Sequence, residues 1–245
     1  MRSEVAPGQS TELLAIGQIT LVGLFVTALV TAQLTAAKLL ALPLPAELPT
    51  VGAEIVLPGA ALAYALTFFA SDCYAELYGR RAAQVMVNVA FGLNFVVLAL
   101  VWSTLQAPAV DPEFAATFEE ALAPSTNIVL GSLLAYLVSQ NWDVYVFHWI
   151  REYTAGQYLW LRNLVSTATS QGLDTVIFVS VAFVAAPSLL GIGEAMPTEV
   201  VFSLIFGQYL LKLLIAVVDT PFVYLVVRLL RPEGIDSQTG YAADS

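Results

Sequence analysis

The sequence has few of the residues that soluble enzymes use for chemistry. Its one cysteine, Cys73, cannot form a disulfide within the chain. Its one histidine, His148, nearly excludes histidine-based metal sites and Ser-His-Asp triads. No G-x-S-x-G, H-E-x-x-H or phosphate-loop G-x-x-x-x-G-K sequence occurs. Charge is also scarce. Asp, Glu, Lys and Arg make up 11% of 245 residues, against about 25% in soluble domains. Lysine is the scarcest of the four, with only Lys38 and Lys212, and the formal net charge is −10. An acidic, lysine-poor exterior suits high salt and suggests a halophilic source.

The composition is instead 58% hydrophobic, with a mean hydropathy of +0.79. Its apolar runs reach the ~20 residues needed to cross a bilayer core. These features predict an all-α, polytopic membrane protein with six transmembrane helices. The expected helices are 13–40, 55–79, 82–105, 128–150, 163–186 and 200–230. The first run exceeds the ~7–15 residues of a signal-peptide core. Pro43 and Pro45 should end it, Gly79 should end the second, and Pro221 should kink the sixth. Residues 106–127 read as an acidic loop and 187–199 as a Gly/Pro loop. The domain plan is a cytoplasmic segment 1–12, a membrane domain 13–230 and a disordered cytoplasmic tail 231–245.

Basic residues orient the bundle. With Arg80 and Arg81 in the cytoplasm, six spans put Arg2, Arg151, Arg162, Arg228 and Arg231 there too. The opposite loops hold Glu47, Glu54, Asp111, Glu113, Glu119, Glu120, Glu194 and Glu199 without Lys or Arg. This obeys the positive-inside rule and predicts cytoplasmic N and C termini in the cell membrane. Lys38, at the end of the first expected helix, reads as a side chain snorkelling to the interface.

Polar residues interrupt the apolar runs. Between Trp160 and Phe178 lie Arg162, Asn163, Ser166, Thr167, Thr169, Ser170, Gln171 and Asp174. At 3.6 residues per turn, Thr167, Ser170, Gln171 and Asp174 share a face, with Leu164, Leu173, Ile177 and Phe178 mostly on other sides. A carboxylate at this depth costs roughly 2.5–3.5 kcal/mol and points to function. Interhelical hydrogen bonding is the plainer reading. The pattern S-Q-x-x-D-x-x-x-F occurs twice, at Ser139, Gln140, Asp143 and Phe147, and at Ser170, Gln171, Asp174 and Phe178. Two helices that each offer an amide and a carboxylate could hold a flat, donor-rich small molecule, with Gln140/Asp143 facing Gln171/Asp174 across one cavity. Chance repetition is the alternative. Asp72 and Glu76 share a face four residues apart, and a Glu76–Arg80 surface pair is the bland reading there. A membrane enzyme holding a metal on Asp72 and Glu76 is a weaker reading. Lys212 and Asp219 lie on one side of the sixth helix, too far apart for a direct bond. Ala28, Ala32 and Ala36 form a small-residue face for packing inside the bundle or against another subunit.

Three segments together resemble the queuosine precursor transporters, a vitamin-uptake-type family of six-helix membrane proteins. They are S-D-C-Y-A-E-L-Y-G-R-R-A-A at 71–83, S-Q-N-W-D-V at 139–144, and L-W-L-R-N-L-V-S-T-A-T-S-Q-G-L-D-T at 159–175. The resemblance implies import of a 7-deazaguanine base, 7-cyano or 7-aminomethyl, for the tRNA nucleosides queuosine and archaeosine. A halophilic archaeon would favour the 7-cyano base. Asp72, Glu76, Arg162, Asn163, Gln171 and Asp174 fall on the family pattern. With Gln140, Trp142 and Asp143 they complete the expected substrate-binding set. A carboxylate can accept both the N1–H and the amino group of such a base, amide or cationic donors suit its carbonyl, and an aromatic suits its face. The resemblance implies no enzyme activity, no cofactor and no nucleic-acid partner. The expected partners are the substrate and the lipid bilayer. A homo-oligomer is one open assembly. Another is an ATPase complex docked on Ala28, Ala32 and Ala36, as in the similar capture subunits of energy-coupling-factor importers.

Overall fold

The computed structural model describes residues 7–48, 52–155 and 158–230. The expectations for 1–6 and for the tail 231–245 lie outside the described residues. Apolar composition makes most of the chain helical, because only a helix or a closed barrel satisfies its own backbone in lipid. The first helix, α1, spans Pro7–Thr35. A two-stranded antiparallel hairpin follows, β1 Leu39–Leu48 and β2 Gly52–Pro58. Next come α2 (Ala61–Tyr78), α3 (Arg80–Leu105), a short α4 (Pro112–Leu122) and α5 (Ser125–Tyr153). α6 (Leu159–Ser180) runs through a π-helical turn, Val181–Ala185, into α7 (Ala186–Leu190). α8 (Thr198–Val218) and α9 (Thr220–Leu230) complete the order.

Among the described residues, five helical segments can cross a membrane by length and hydropathy: Ala15–Thr35, Arg80–Leu105, Pro112–Tyr153, Leu164–Leu190 and Thr198–Val218. The 18-residue α2, which carries Asp72 and Glu76, is not among them.

The hairpin corrects the all-α expectation. The apolar pattern predicts 36–40 in the first helix, 41–54 in a loop and 55–60 in the second helix. Pro43 and Pro45 cannot sit inside a helix, but an edge strand tolerates them. Leu39 pairs with Pro58, Leu42 with Ile55 and Pro43 with Glu54, before the register shifts toward Leu48. The strand lies on α8, where the Val56 N–H donates to Ser203 Oγ at 3.3 Å. A Cβ on Gly207 would meet the Val56 carbonyl oxygen at 2.6 Å, so only glycine permits this approach.

α4 corrects the 106–127 loop. Its start is capped by the Asp111 carboxylate, which accepts from the Glu113 and Phe114 N–H groups at 3.0 and 3.1 Å. The fifth expected helix continues past 186 to Leu190, although Pro187 lies in that stretch. Pro187 has no N–H to give the Phe183 carbonyl four residues earlier. The Met196 N–H takes that acceptor instead, at 2.8 Å. The sixth expected helix is broken at Asp219, two residues before Pro221, and becomes α8 and α9. Gly79, at φ 90°, ends α2 as expected.

Neighbouring helices run antiparallel. Gln18 on α1 donates to the Tyr74 hydroxyl near the end of α2 at 2.9 Å, while Gly59 sits against Thr35 at the other end. Trp102 Nε1 donates to Thr126 Oγ1 at 2.9 Å, and Asn127 Nδ2 to the Ile192 carbonyl at 2.8 Å. One end of the bundle therefore carries Arg80, Arg81, Arg151 and Arg228. The other carries Glu54, α4, Glu194 and Glu199. Because α1 stops at Thr35, Lys38 falls at this acidic end. Among the described residues it is the one exception to the segregation of basic side chains.

Ala28, Ala32 and Ala36 are buried. Ala32 and Ala36 join Ala60, Ala63, Ile128 and Leu204 in one core cluster. Intrachain packing occupies this face, so a partner subunit would have to displace those contacts.

Candidate functional site

A cavity of about 220 Å³ lies inside the bundle, walled by α1, α2, α3, α5, α6 and α8. Phe25, Leu29, Phe68, Phe91 and Phe178 give it apolar surface. Ser139, Gln140, Gln171, Asp174, Lys212 and the Tyr64 ring add polar groups. Asp174 and Lys212 are its only charged lining residues among those described.

These two form an ion pair, Lys212 Nζ to Asp174 Oδ2 at 2.5 Å. Their side chains are 9% and 26% exposed, respectively. Removing either charge from water costs several kcal/mol, and pairing offsets that cost only with good geometry and further hydrogen bonds. Ser139 Oγ supplies one such bond, donating to Asp174 Oδ1 at 3.2 Å. Gln171 Oε1, also in the cavity wall, is buried and has no hydrogen-bond partner.

The repeated motif is used reciprocally. Ser139 of the first copy donates to Asp174 of the second, and Ser170 of the second donates to Asp143 of the first at 3.2 Å. The two copies thus clasp α5 to α6. Close approach is possible because Gly131 leaves room: a Cβ there would lie 2.8 Å from Ala182 Cβ.

Aromatic residues shape the rest of the wall. Phe91 and Tyr136 stack with centroids 4.6 Å apart and planes 15° apart. The Tyr136 hydroxyl donates to Asn88 Oδ1 at 2.6 Å. Gln84 Nε2 donates to Asn88 Oδ1 at 3.1 Å and also to the Tyr136 hydroxyl, so this trio ties α3 to α5.

Of the expected substrate-binding set, Gln140, Gln171 and Asp174 line the cavity. Asp143 and Trp142 do not. Asp143 accepts from Ser170, and Trp142 Nε1 donates to Thr169 Oγ1 at 3.2 Å. The two aspartates therefore share the α5–α6 interface but not the cavity. Asp72 and Glu76 lie on α2 outside the lining, although Ser71 reaches it. The side chains of Arg162 and Asn163 lie outside the described residues. Phe178, expected away from the polar face, lines the cavity one turn beyond Asp174. Among the described residues, no three His, Cys, Asp or Glu side chains group to hold a metal ion.

Lys212, Tyr64, Tyr136 and Ser139 also line the cavity, outside the expected substrate-binding set. Lys212 carried a usable signal, since a lone lysine inside an apolar run is as costly as a lone aspartate.

Residues 58–226 match the family described as "Putative vitamin uptake transporter". The chain belongs to this family. The matched span includes all cavity residues except Phe25 and Leu29 of α1. A protein of Bacillus subtilis (strain 168), named "Probable queuosine precursor transporter", is 34% identical over 172 residues, covering 68% of this chain and 70% of that protein. No solved structure matches. Membership of this family and the apolar helices identify a membrane transporter.

Proposed function

We propose that this transporter imports a 7-deazaguanine base, foremost 7-cyano-7-deazaguanine, across the cell membrane for tRNA modification. The observation that carries the reading is the Asp174–Lys212 pair inside a small, partly aromatic cavity. A volume of about 220 Å³ falls below the ~300–1,000 Å³ of drug-sized ligand sites and suits a single fused-ring base. One negative and one positive lining charge leave the cavity neutral overall, which favours the neutral 7-cyano base over a cationic 7-aminomethyl one. Gln140 supplies a further amide, and Phe91, Tyr136 and Phe178 supply aromatic surface. Trp142 and Asp143 act in this scheme as supports of the binding wall, through Thr169 and Ser170. Cells that cannot make the base should take up the labelled compound and recover the modified tRNA nucleoside when they express this chain. Unchanged tRNA with the chain present in the membrane would contradict the proposal.

The scheme uses six spans, with α2 as the sixth, and places the arginine-rich end and both termini in the cytoplasm. A cysteine replacing Glu119 in a Cys73-free background should then react with an impermeant maleimide from outside intact cells. One replacing Arg81 should react only after lysis. The reverse pattern would invert the topology. Capture for a separate ATPase complex remains the second mode of action, and co-purification of an ATPase with the full chain would favour it.

A further inference from the structure

We propose that Lys212 is a specificity-determining residue of the cavity, which holds Asp174 when the site is empty and turns to the ligand's ring carbonyl when a base enters. This rests on the reading of the cavity as a 7-deazaguanine site and deepens it. Asp174 Oδ2 is held by Lys212 Nζ at 2.5 Å, and Oδ1 by Ser139 at 3.2 Å. Gln171 Oε1, also in the wall, is buried without a partner. The cavity wall therefore offers an unpartnered acceptor and a carboxylate neutralised by an internal cation.

A planar ring that carries N1–H, an adjacent amino group and an adjacent carbonyl matches this set. Its two donor positions can satisfy Asp174 and Gln171. Its carbonyl then gives the ammonium a new acceptor within the same small cavity. Lysine suits the exchange, because it is a compact charge with three donors on a flexible stem. A ligand without the carbonyl leaves Lys212, whose side chain is 9% exposed, only the Asp174 oxygen that the ring donors also claim. A ligand without the amino group leaves a buried acceptor short of a donor. The site thus recognises a 2-amino-4-oxopyrimidine edge, whatever the substituent on the fused ring.

Binding to the purified, detergent-solubilised full chain tests this with three probes. They are 7-cyano-7-deazaguanine, its thiocarbonyl analogue and its analogue lacking the amino group. The thiocarbonyl analogue keeps both donors but offers sulfur, a weak acceptor. Wild type should prefer the oxo compound over the thio compound by about tenfold, as expected for one hydrogen bond to a charged group. Lys212→Met should reduce that ratio to about threefold or less while keeping the preference for the amino group. A purely structural role for Lys212 would weaken all three probes in proportion. The neutral double variant Asp174→Asn/Lys212→Gln removes both charges together and so avoids a lone buried charge. It should lose both preferences. An unchanged oxo preference in either variant, or none in the wild type, overturns the role of Lys212. Failure of the wild type to bind any probe overturns the 7-deazaguanine reading on which that role rests.

Discussion

Replacing Asp174 with asparagine should reduce uptake of the base to background while the protein still reaches the membrane. Insertion becomes easier, because a neutral amide at that depth costs less than a carboxylate. Binding becomes worse, because an amide oxygen accepts more weakly than a carboxylate and its NH₂ opposes the donors of the base. Lys212 also loses its counter-charge. Breaking a buried pair from one side typically costs about 3–5 kcal/mol, so the variant should melt earlier than wild type. Membrane-fraction yield, melting temperature and uptake, measured on the same preparations, separate these effects. Wild-type uptake by this variant would remove Asp174 from the site.

Gly59→Ala should remove most of the folded protein. A Cβ at Gly59 would stand 2.6 Å from the Thr35 carbonyl oxygen and 2.9 Å from that of Lys38. Both obstacles are backbone atoms, so no rotamer change relieves the clash. The Gly59 N–H also donates to the Lys38 carbonyl at 2.6 Å, which pins the start of α2 to the end of α1. Overpacking of this kind costs about 1–3 kcal/mol when side chains can yield, and backbone obstacles put the expected loss at the top of that range. Gly92→Ala is the matched control. Nothing lies within 4 Å of its added Cβ in the middle of α3, so it should be neutral or gain about 1 kcal/mol of helix propensity. Equal thermal stability of the two variants would show that the α1–α2 junction is not the close contact described.

The long helices were legible because bilayer thickness sets their length and lipid sets their composition. α2 was legible only in part, since Asp72 and Glu76 lower its hydropathy and the strand before it is equally apolar. Pro43 and Pro45 signalled a helix end, but the leucines alternating with them also suit one face of a strand. α4 was passed over because its acidity suggested a loop, although the Asp111-Pro112 cap was present in the sequence. In the cavity, Gln140, Gln171 and Asp174 were readable as polar groups misplaced in apolar helices. The sequence narrowed a partner for one of the two aspartates only to Arg162 or a lysine and did not single out Lys212. Lys212 lies 38 residues away on another helix, and the sequence offered it Asp219 on its own helix instead. The paired S-Q-x-x-D motifs were visible as a repeat. Their clasp, serine to opposite aspartate, depends on the antiparallel register of α5 and α6 and could not be read locally.

Counterflow in proteoliposomes that contain only this chain is the most direct test of the account, because it needs no energy source and no second protein. Vesicles preloaded with unlabelled 7-cyano-7-deazaguanine should accumulate the labelled base from outside, and vesicles carrying Asp174→Asn should not. Absence of counterflow with correctly folded wild type, or equal counterflow in the variant, would contradict transport through the Asp174–Lys212 cavity.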